Sequence, residues 1–379
     1  MNHRFLLFSS LAILLSFVSC TRSEYDPSNG VNKEMTLFGE EIFVPIGQVG
    51  PITVKDLLSS NKSIATLLES IMKEEIDGTF YIESADQVFS VNAFRQILDI
   101  PDPTQPYHWD IGSQSCSIAS TVALLRMFNI GFMNQRLSLY ATNPITAPLT
   151  LNTDIWVRCM DNSYKETYSK EYKMEDFSLR SSYSSISLFK LYVPTEVTDL
   201  VTNVEMNDLT LDLPANAKDK VRPSDEAKFS FDTNYYSNLL FTEKFSISQA
   251  FPISNLNVPL GKFKLHKCSL AFDLENTLPL DVTIKSIKLR DEKGNEIKDV
   301  VFSSDVKIIG GKSGAATVTP VVLEVEALTG TIPDIREVVV DLKLEYSQTA
   351  GLVPLSSAMS LSIKSASAKL FGGITLFGK

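Results

Sequence analysis

Histidine is scarce in this chain, with 3 in 379 residues, and one of them, His3, stands in an apolar leader. The other two, His108 and His266, lie far apart and outside any metal-spaced cluster. A zinc site takes three or four His, Cys or acidic ligands, so neither a metal nor a cofactor is expected. His266 and Cys268 sit two apart on an expected strand and would share a face, but two ligands do not make a site. Cysteine is nearly as rare: Cys20, Cys116, Cys159 and Cys268 are the 4 present. Apart from Cys20 the number is odd, which excludes a complete disulfide framework. One bridge would suit an oxidising compartment; buried free thiols are the simpler expectation. Excess positive charge is missing too. Lys and Arg number 35 against 45 Asp and Glu, a net charge of −10. Nucleic acid is thereby excluded as a partner, because phosphate binding needs clustered Lys and Arg. Beyond the leader no apolar run is long enough to cross a bilayer. The longest candidate, Ile118–Met133, is broken by Arg126 and Asn129.

Catalytic signatures are equally thin. No Gly-x-Ser-x-Gly elbow occurs, which removes the usual mark of an α/β-hydrolase. Gly311-Lys312-Ser313 echoes a phosphate loop, but Val306 stands where that loop needs glycine and no helix pattern follows. A turn is expected there. Glu40-Glu41, Glu74-Glu75 and Asp291-Glu292 are sequence neighbours. Glycoside hydrolysis needs two carboxylates placed across a sugar, so these pairs read as solvated surface.

What the chain has is a short greasy leader. Arg4 supplies a positive start, and Phe5–Val18 is an uncharged apolar stretch. It is too short to span about 30 Å of hydrocarbon and fits a signal peptide over 1–19. The segment Phe17-Val18-Ser19-Cys20 resembles a lipobox, with Phe17 in place of the usual Leu. On those residues the chain is similar to Bacteroidetes-type lipoproteins. That resemblance implies cleavage before Cys20 and lipidation of its thiol. Several acyl chains hold a protein stably at a bilayer where one does not. With Thr21 after the cysteine, it further implies the outer membrane, either face being open. Residues 20–35, polar with Pro27 and Gly30, read as a flexible tether.

The best helical signals lie in 36–77, within 36–110, which is expected as a small α+β region. Thr53-x-x-Asp56 forms a variant capping box before Leu57 and Leu58. Ser63 can cap a second helix. Ile64, Leu67, Leu68, Ile71 and Met72 share one helical face, with Asp77-Gly78 as its stop. Strands are expected at Ile42–Ile46 and Thr79–Ile82. The segment Ile118–Phe128 could be helix or buried strand. Further on the period becomes two. Leu209, Leu211 and Leu213 alternate with polar neighbours, as do Phe229 and Phe231, Phe245 and Ile247, and Val340, Leu342, Leu344 and Tyr346. Such alternation marks strands with one buried and one wet face. Asp291 to Asn295 reads as a hairpin loop between two strand-like runs.

The segments from Leu137 and from Leu270 resemble each other. In each a strand leads to an asparagine, Asn143 or Asn276, with Pro144 or Pro279 close behind, and an alternating strand follows. The stretch from Asp199 likewise parallels the one from Asp334. The two offsets, 133 and 135 residues, nearly agree, which predicts tandem copies of one β-domain. The strand–Asn–Pro–strand pattern is similar to the β-sandwich domain of the LEA/water-stress family, which implies sandwiches. The expected plan is a mainly β chain of tandem β-sandwich-like domains, with one copy over 111–215 and a second over 216–379.

One aromatic cluster stands out. Pro101 to Asp110 is a proline-stiffened run carrying Tyr107, His108 and Trp109. On a loop, such aromatics could contact a glycan or peptide; packing within an interdomain linker is the alternative. The leading functional expectation is a noncatalytic lipid-anchored envelope protein, with the membrane and a glycan or another envelope protein as partners. An adhesin or fimbria-like component would use Met359, Leu361 and Ile363 as a donated strand. An envelope hydrolase with residues drawn from distant positions is the rival class.

Overall fold

The computed structural model describes residues 34–377, apart from 38–40, 60–61, 93–96, 98, 119–124, 126–127, 144, 181–185, 221–227, 259–266, 292, 299, 303–306, 309, 311–314, 329–334 and 372–373. The leader, Cys20, His266, Gly311-Lys312-Ser313 and most of Ile118–Phe128 lie outside the described residues. The chain opens with β1 (Glu34–Leu37), β2 (Glu41–Thr53), α1 (Val54–Ser59), α2 (Lys62–Ile71), β3 (Met72–Glu74) and β4 (Phe80–Asn92). The capping box forms. The Thr53 N–H and hydroxyl donate to the Asp56 carboxylate at 2.8 and 2.7 Å, and the Asp56 N–H returns a bond to Thr53 Oγ1 at 3.2 Å. The second helix ends earlier than its sequence suggests. Met72 leaves it to start β3, which pairs with β4 from Met72↔Ile82 to Glu74↔Phe80. Asp77-Gly78 is the turn of that hairpin, with Gly78 at φ +86°. Cross-strand pairing outcompetes one more helical turn.

The remaining strands are β5 (Tyr107–Ser117), β6 (Ile130–Thr142), β7 (Leu149–Met160), β8 (Glu166–Leu179), β9 (Ile186–Tyr192), β10 (Leu200–Leu213), β11 (Lys228–Phe241), β12 (Ser246–Val258), β13 (Lys267–Asn276), β14 (Leu280–Arg290), β15 (Val300–Phe302), β16 (Lys307–Ile308), β17 (Thr317–Ala327), β18 (Ile335–Tyr346), β19 (Ser360–Phe371) and β20 (Ile374–Phe377). Period-two burial holds along several of them, most regularly in β7 and β17. Leu209, Leu211 and Leu213 are buried, as are Phe229, Phe231, Val340, Leu342 and Leu344. No helix among the described residues is long and apolar enough to cross a membrane.

Four large sheets stack into two β-sandwiches. The first joins the sheet β5-β10-β7-β8 to the sheet β3-β4-β11-β6-β9. Their inner faces meet where the Phe177 ring of β8 lies edge-on to Phe189 of β9, 5.9 Å between centroids. The second joins β12-β18-β14-β16 to β15-β17-β13-β19-β2. There Phe272, Leu274, Leu361 and Ile363 face Ile284, Val340 and Leu342 across the core.

The two sandwiches share one plan. Strand for strand, β5, β10, β7 and β8 correspond to β12, β18, β14 and β16, while β4, β11, β6 and β9 correspond to β2, β19, β13 and β17. Every one of these pairings is antiparallel. The repeat seen in the sequence falls on equivalent places. Asn143 follows β6 and Asn276 follows β13. Asn143 Nδ2 donates to the Ala147 carbonyl at 2.8 Å and Oδ1 accepts the Ile145 N–H at 3.0 Å. Asn276 does the same with Leu280 at 2.8 Å and Leu278 at 2.9 Å. In both, the buried amide closes the inter-sheet turn from inside.

The order along the chain differs from a simple head-to-tail duplication. The second sandwich takes its first strand, β2, from before the first sandwich, and then resumes at β12. The first sandwich is thus inserted into the second. Pairing also crosses the expected 215/216 boundary. β11 lies beyond it, yet it pairs with β4 and β6 in the first sandwich. The strands of 36–110 are shared between the two sandwiches, and the helices between them link β2 to β3. Alternation reveals which residues face inward but carries no information about the partner strand. The Asp291 turn closes as expected, with the Gly294 N–H on the Asp291 carbonyl at 3.0 Å. Among the described residues it is followed by the bridge Arg290↔Glu296 and by the Ile297 N–H on the Leu289 carbonyl at 2.8 Å. The chain then crosses to the other sheet, where β15 joins β17.

The sandwiches are strapped together by the segment between β18 and β19. The Leu355 N–H donates to the Leu239 carbonyl at 2.7 Å, and the Leu355 carbonyl accepts the Phe80 N–H at 2.8 Å. A bridge Thr79↔Ser356 continues the seam. This strap and the short β11–β12 turn fix the walls of the cleft described next.

Candidate functional site

A cleft of about 540 Å³ opens where the two sandwiches meet. Its walls come from four loops and the strand ends beside them. Asn129 leads into β6 with φ +56°. Its carbonyl accepts the Thr242 N–H at 3.1 Å and the Thr242 hydroxyl at 2.9 Å, tying the start of β6 to the end of β11. The Phe132 N–H donates to the Thr198 carbonyl at 3.0 Å, which brings in the loop before β10. Gly131 lies on the floor, where a Cβ would sit 2.8 Å from the Thr242 methyl. The β7–β8 turn adds Asp161 and Asn162, and the strap adds Gln348, Gly351 and Leu352.

A buried glutamine holds the floor in place. Gln135 Nε2 donates to the carbonyls of Val197 and Asp199 at 3.0 and 2.8 Å. Its Oε1 accepts the Val201 N–H at 3.0 Å and the Tyr235 hydroxyl at 2.7 Å. One side chain thus links β6, β11 and the loop carrying Thr198 and Asp199. Nothing in the sequence marks Gln135, since a polar residue at an inward strand position breaks the alternation without revealing its partners.

The cleft is acidic and amphipathic. Asp161, Glu196, Asp199 and Glu243 line it, with Lys244 as the cation of the described lining. Backbone N–H groups of Lys165 and Ser163 donate to the Asp161 carboxylate at 3.0 and 2.8 Å. Those bonds, with lesser help from the Lys244 charge, hold its pKa below the usual carboxylate range. Burial pushes the Tyr346 hydroxyl up, and the charge of Glu243 adds to the rise. Side-chain amides of Asn129, Asn162 and Gln348 and hydroxyls of Thr198 and Thr242 supply donors and acceptors. Apolar surface comes from Tyr346, Leu240 and Leu352, the last 45% exposed. The volume falls in the roughly 300–1,000 Å³ range of small-ligand sites, which favour domain junctions.

The aromatic cluster picked from the sequence lies elsewhere. Tyr107, His108 and Trp109 begin the edge strand β5 and pair with Leu213, Asp212 and Leu211 of β10. The expected loop is therefore a strand, because β10 satisfies its backbone groups. His108 Nδ1 lies 2.7 Å from Asp212 Oδ1, on the outer face. Trp109 is half-buried against the core, and Tyr107 is 37% exposed. None of the three lines the cleft. Met359, Leu361 and Ile363 are buried, and Leu361 and Ile363 belong to β19, which pairs with both β13 and β2 of its own sheet. Cys116, Cys159 and Cys268 are free thiols. Burial pushes their pKa values up to about 11, about 12 and about 11, so they are poor nucleophiles. Among the described residues no group of three or more His, Cys, Asp or Glu side chains is placed to hold a metal ion.

No protein-family model matches the chain, and no curated protein matches it. Among solved structures, a protein of Parabacteroides distasonis described as secreted is 15% identical, aligned over 88% of this chain and 100% of that one, with a TM-score of 0.46. A structure of the Gx strain of infectious bursal disease virus gives 8% identity over 79% of this chain and 45% of that one, with a TM-score of 0.21. The VP2 subviral particle of the same virus gives 10% identity over 74% and 45%, also with a TM-score of 0.21. Likenesses of this size carry no argument, and the fold rests on the strand pairing of the chain itself.

Proposed function

We propose that the chain is a noncatalytic, lipid-anchored protein of the outer membrane that binds glycan in the cleft between its sandwiches. The observation that carries this reading is the lining of that cleft. Amides, carboxylates and hydroxyls suit the hydroxyl rim of a sugar, and Tyr346 and Leu352 suit its apolar C–H faces. The leader over 1–19 and Cys20 support the anchor, and residues 20–35 would act as the tether.

Binding is tested by screening the chain from Thr21 onward on a glycan array and confirming hits by calorimetry. Gln348→Ala and Asn162→Ala should each weaken binding by about threefold to tenfold, the loss of one or two hydrogen bonds. Tyr107→Ala should leave it unchanged. No binding across plant, host and microbial glycans would defeat the reading. Mass spectrometry of a bound oligosaccharide after long incubation should show unchanged length; shortening would make the chain a hydrolase. Cys20→Ala should abolish detergent-dependent fractionation, and its persistence would remove the lipid anchor.

A further inference from the structure

We propose that β12 is the seam of a symmetric dimer, its free edge pairing antiparallel with the same strand of a second copy of this chain. The inference concerns assembly and does not depend on the glycan reading. Two observations carry it: where the backbone groups of β12 point, and which guards the strand lacks. β12 ends the sheet β12-β18-β14-β16, and among the described residues no strand lies on its other side. Its register with β18 runs unbroken from Ser246↔Glu345 to Ser254↔Glu337. The Tyr346 N–H donates to the Phe245 carbonyl at 3.2 Å. Phe245, Ile247 and every second residue after them therefore turn their backbone groups to β18. Ser246, Ser248, Ala250 and Pro252 turn theirs outward. This phase costs no ladder bond at Pro252, which has no N–H to give. Ser246, Ser248 and Ala250 are exposed.

The other edges of the four large sheets are guarded against strand addition. β8 carries Lys170, Glu171 and Lys173, and β9 carries Lys190. Register shifts interrupt β5 and β2, and β2 also holds Pro45 and Pro51. β3, β15 and β16 are two or three residues long. β12 has no Lys, Arg, Asp or Glu in its 13 residues. A two-fold axis sets an edge against itself, so a charged edge meets like charges and an uncharged one does not. The charges of β18, one strand in, already have partners. Lys343 Nζ lies 2.7 Å from Glu345 Oε1, and Asp341 Oδ2 lies 3.0 Å from Lys288 Nζ. The β11–β12 turn and Pro252 confine the open stretch to 246–250, whose midpoint is Ser248. The axis then passes at Ser248, with Ser246 opposite the partner's Ala250. A seam this short makes a weak dimer, in the class of interfaces below about 1,200 Å².

The full chain, extracted in neutral detergent, should dimerise reversibly in sedimentation equilibrium at concentrations up to about 0.5 mM. Ser248→Lys and Ser248→Glu should each weaken self-association about threefold or more at low salt, by setting like charges opposite one another, with the thermal unfolding midpoint unchanged. An equimolar mixture of the two variants should associate as tightly as the native chain, a rescue that a merely disturbed strand would not show. Ser248→Cys should be joined to its own copy by a short bifunctional thiol reagent, whereas Ser115→Cys, exposed on β5, should not. A native chain that stays monomeric, or a dimer indifferent to both charged variants, would overturn the inference. Protection of the Ser246, Ser248 and Ala250 amides from hydrogen exchange by another protein, with the chain itself monomeric, would give the edge to that partner and equally overturn it.

Discussion

Two asparagines carry more of the fold than their polarity suggests. Asn143 is fully buried, and its amide also donates to the Leu179 and Arg180 carbonyls at 3.3 and 2.9 Å. Removing it strands several buried backbone groups at once, and an unpaired buried group costs more than its bond contributed. Asn143→Ala should therefore destabilise the chain by about 2–4 kcal/mol, and Asn276→Ala by a similar or smaller amount, measured by chemical denaturation. A loss under about 0.5 kcal/mol at both would show that the turns hold without them. Titration is the second residue-scale expectation. The three thiols and Tyr236, raised to about 12 chiefly by burial and next by Glu75, all have folded pKa values above their unfolded ones. The stability they contribute is present below the unfolded pKa values, about 8.5 for Cys and 10 for Tyr. It is lost as pH rises toward the folded values. The unfolding midpoint should hold steady from about pH 7 to 8.5 and fall steadily from about pH 9 to 11. A midpoint flat up to pH 11 would contradict this. The same thiols should resist a thiol reagent until the chain is unfolded.

Among the elements, local chemistry settled some boundaries and pairing settled others. The Thr53–Asp56 box is a local device, and the structure builds it as its spacing implies. Asp56→Ala should cost about 0.5–1 kcal/mol, read by denaturation; no change would mean that packing of Leu57 and Leu58 alone holds α1. The helical periodicity running through Met72 is equally local, yet β4 captures Met72–Glu74. A side chain's spacing shows which face it belongs to and cannot weigh a helical turn against a distant strand. The Tyr107 run illustrates the same limit. Its prolines suggest a loop, whereas β10, about a hundred residues on, turns it into an edge strand.

For the whole molecule, the insertion has a direct consequence. Residues 72–241 hold all the strands of the first sandwich, so this piece should fold by itself, with cooperative unfolding and a β-type circular dichroism spectrum. Residues 246–377 lack β2 and leave one edge of β19 unpaired. An open edge is a site for aggregation, so this piece should be poorly soluble. Appending 41–53 after its C-terminus through a flexible linker should restore a monomer. A well-behaved 246–377 fragment without β2 would show that the insertion has no bearing on stability.

The sequence by itself determined the strand-rich class, the inward residues of β10, β11 and β18, the asparagine turns of the repeat and the capping box of α1. Each rests on contacts within a few residues, where alternation and side-chain reach leave few choices. Only the tertiary structure decided which strand pairs with which, that one sandwich interrupts the other, and that Asn129, Asp161, Glu196, Glu243 and Gln348 share one cleft. Those choices depend on free energies of pairing and packing between segments tens to hundreds of residues apart, and local patterning does not encode them.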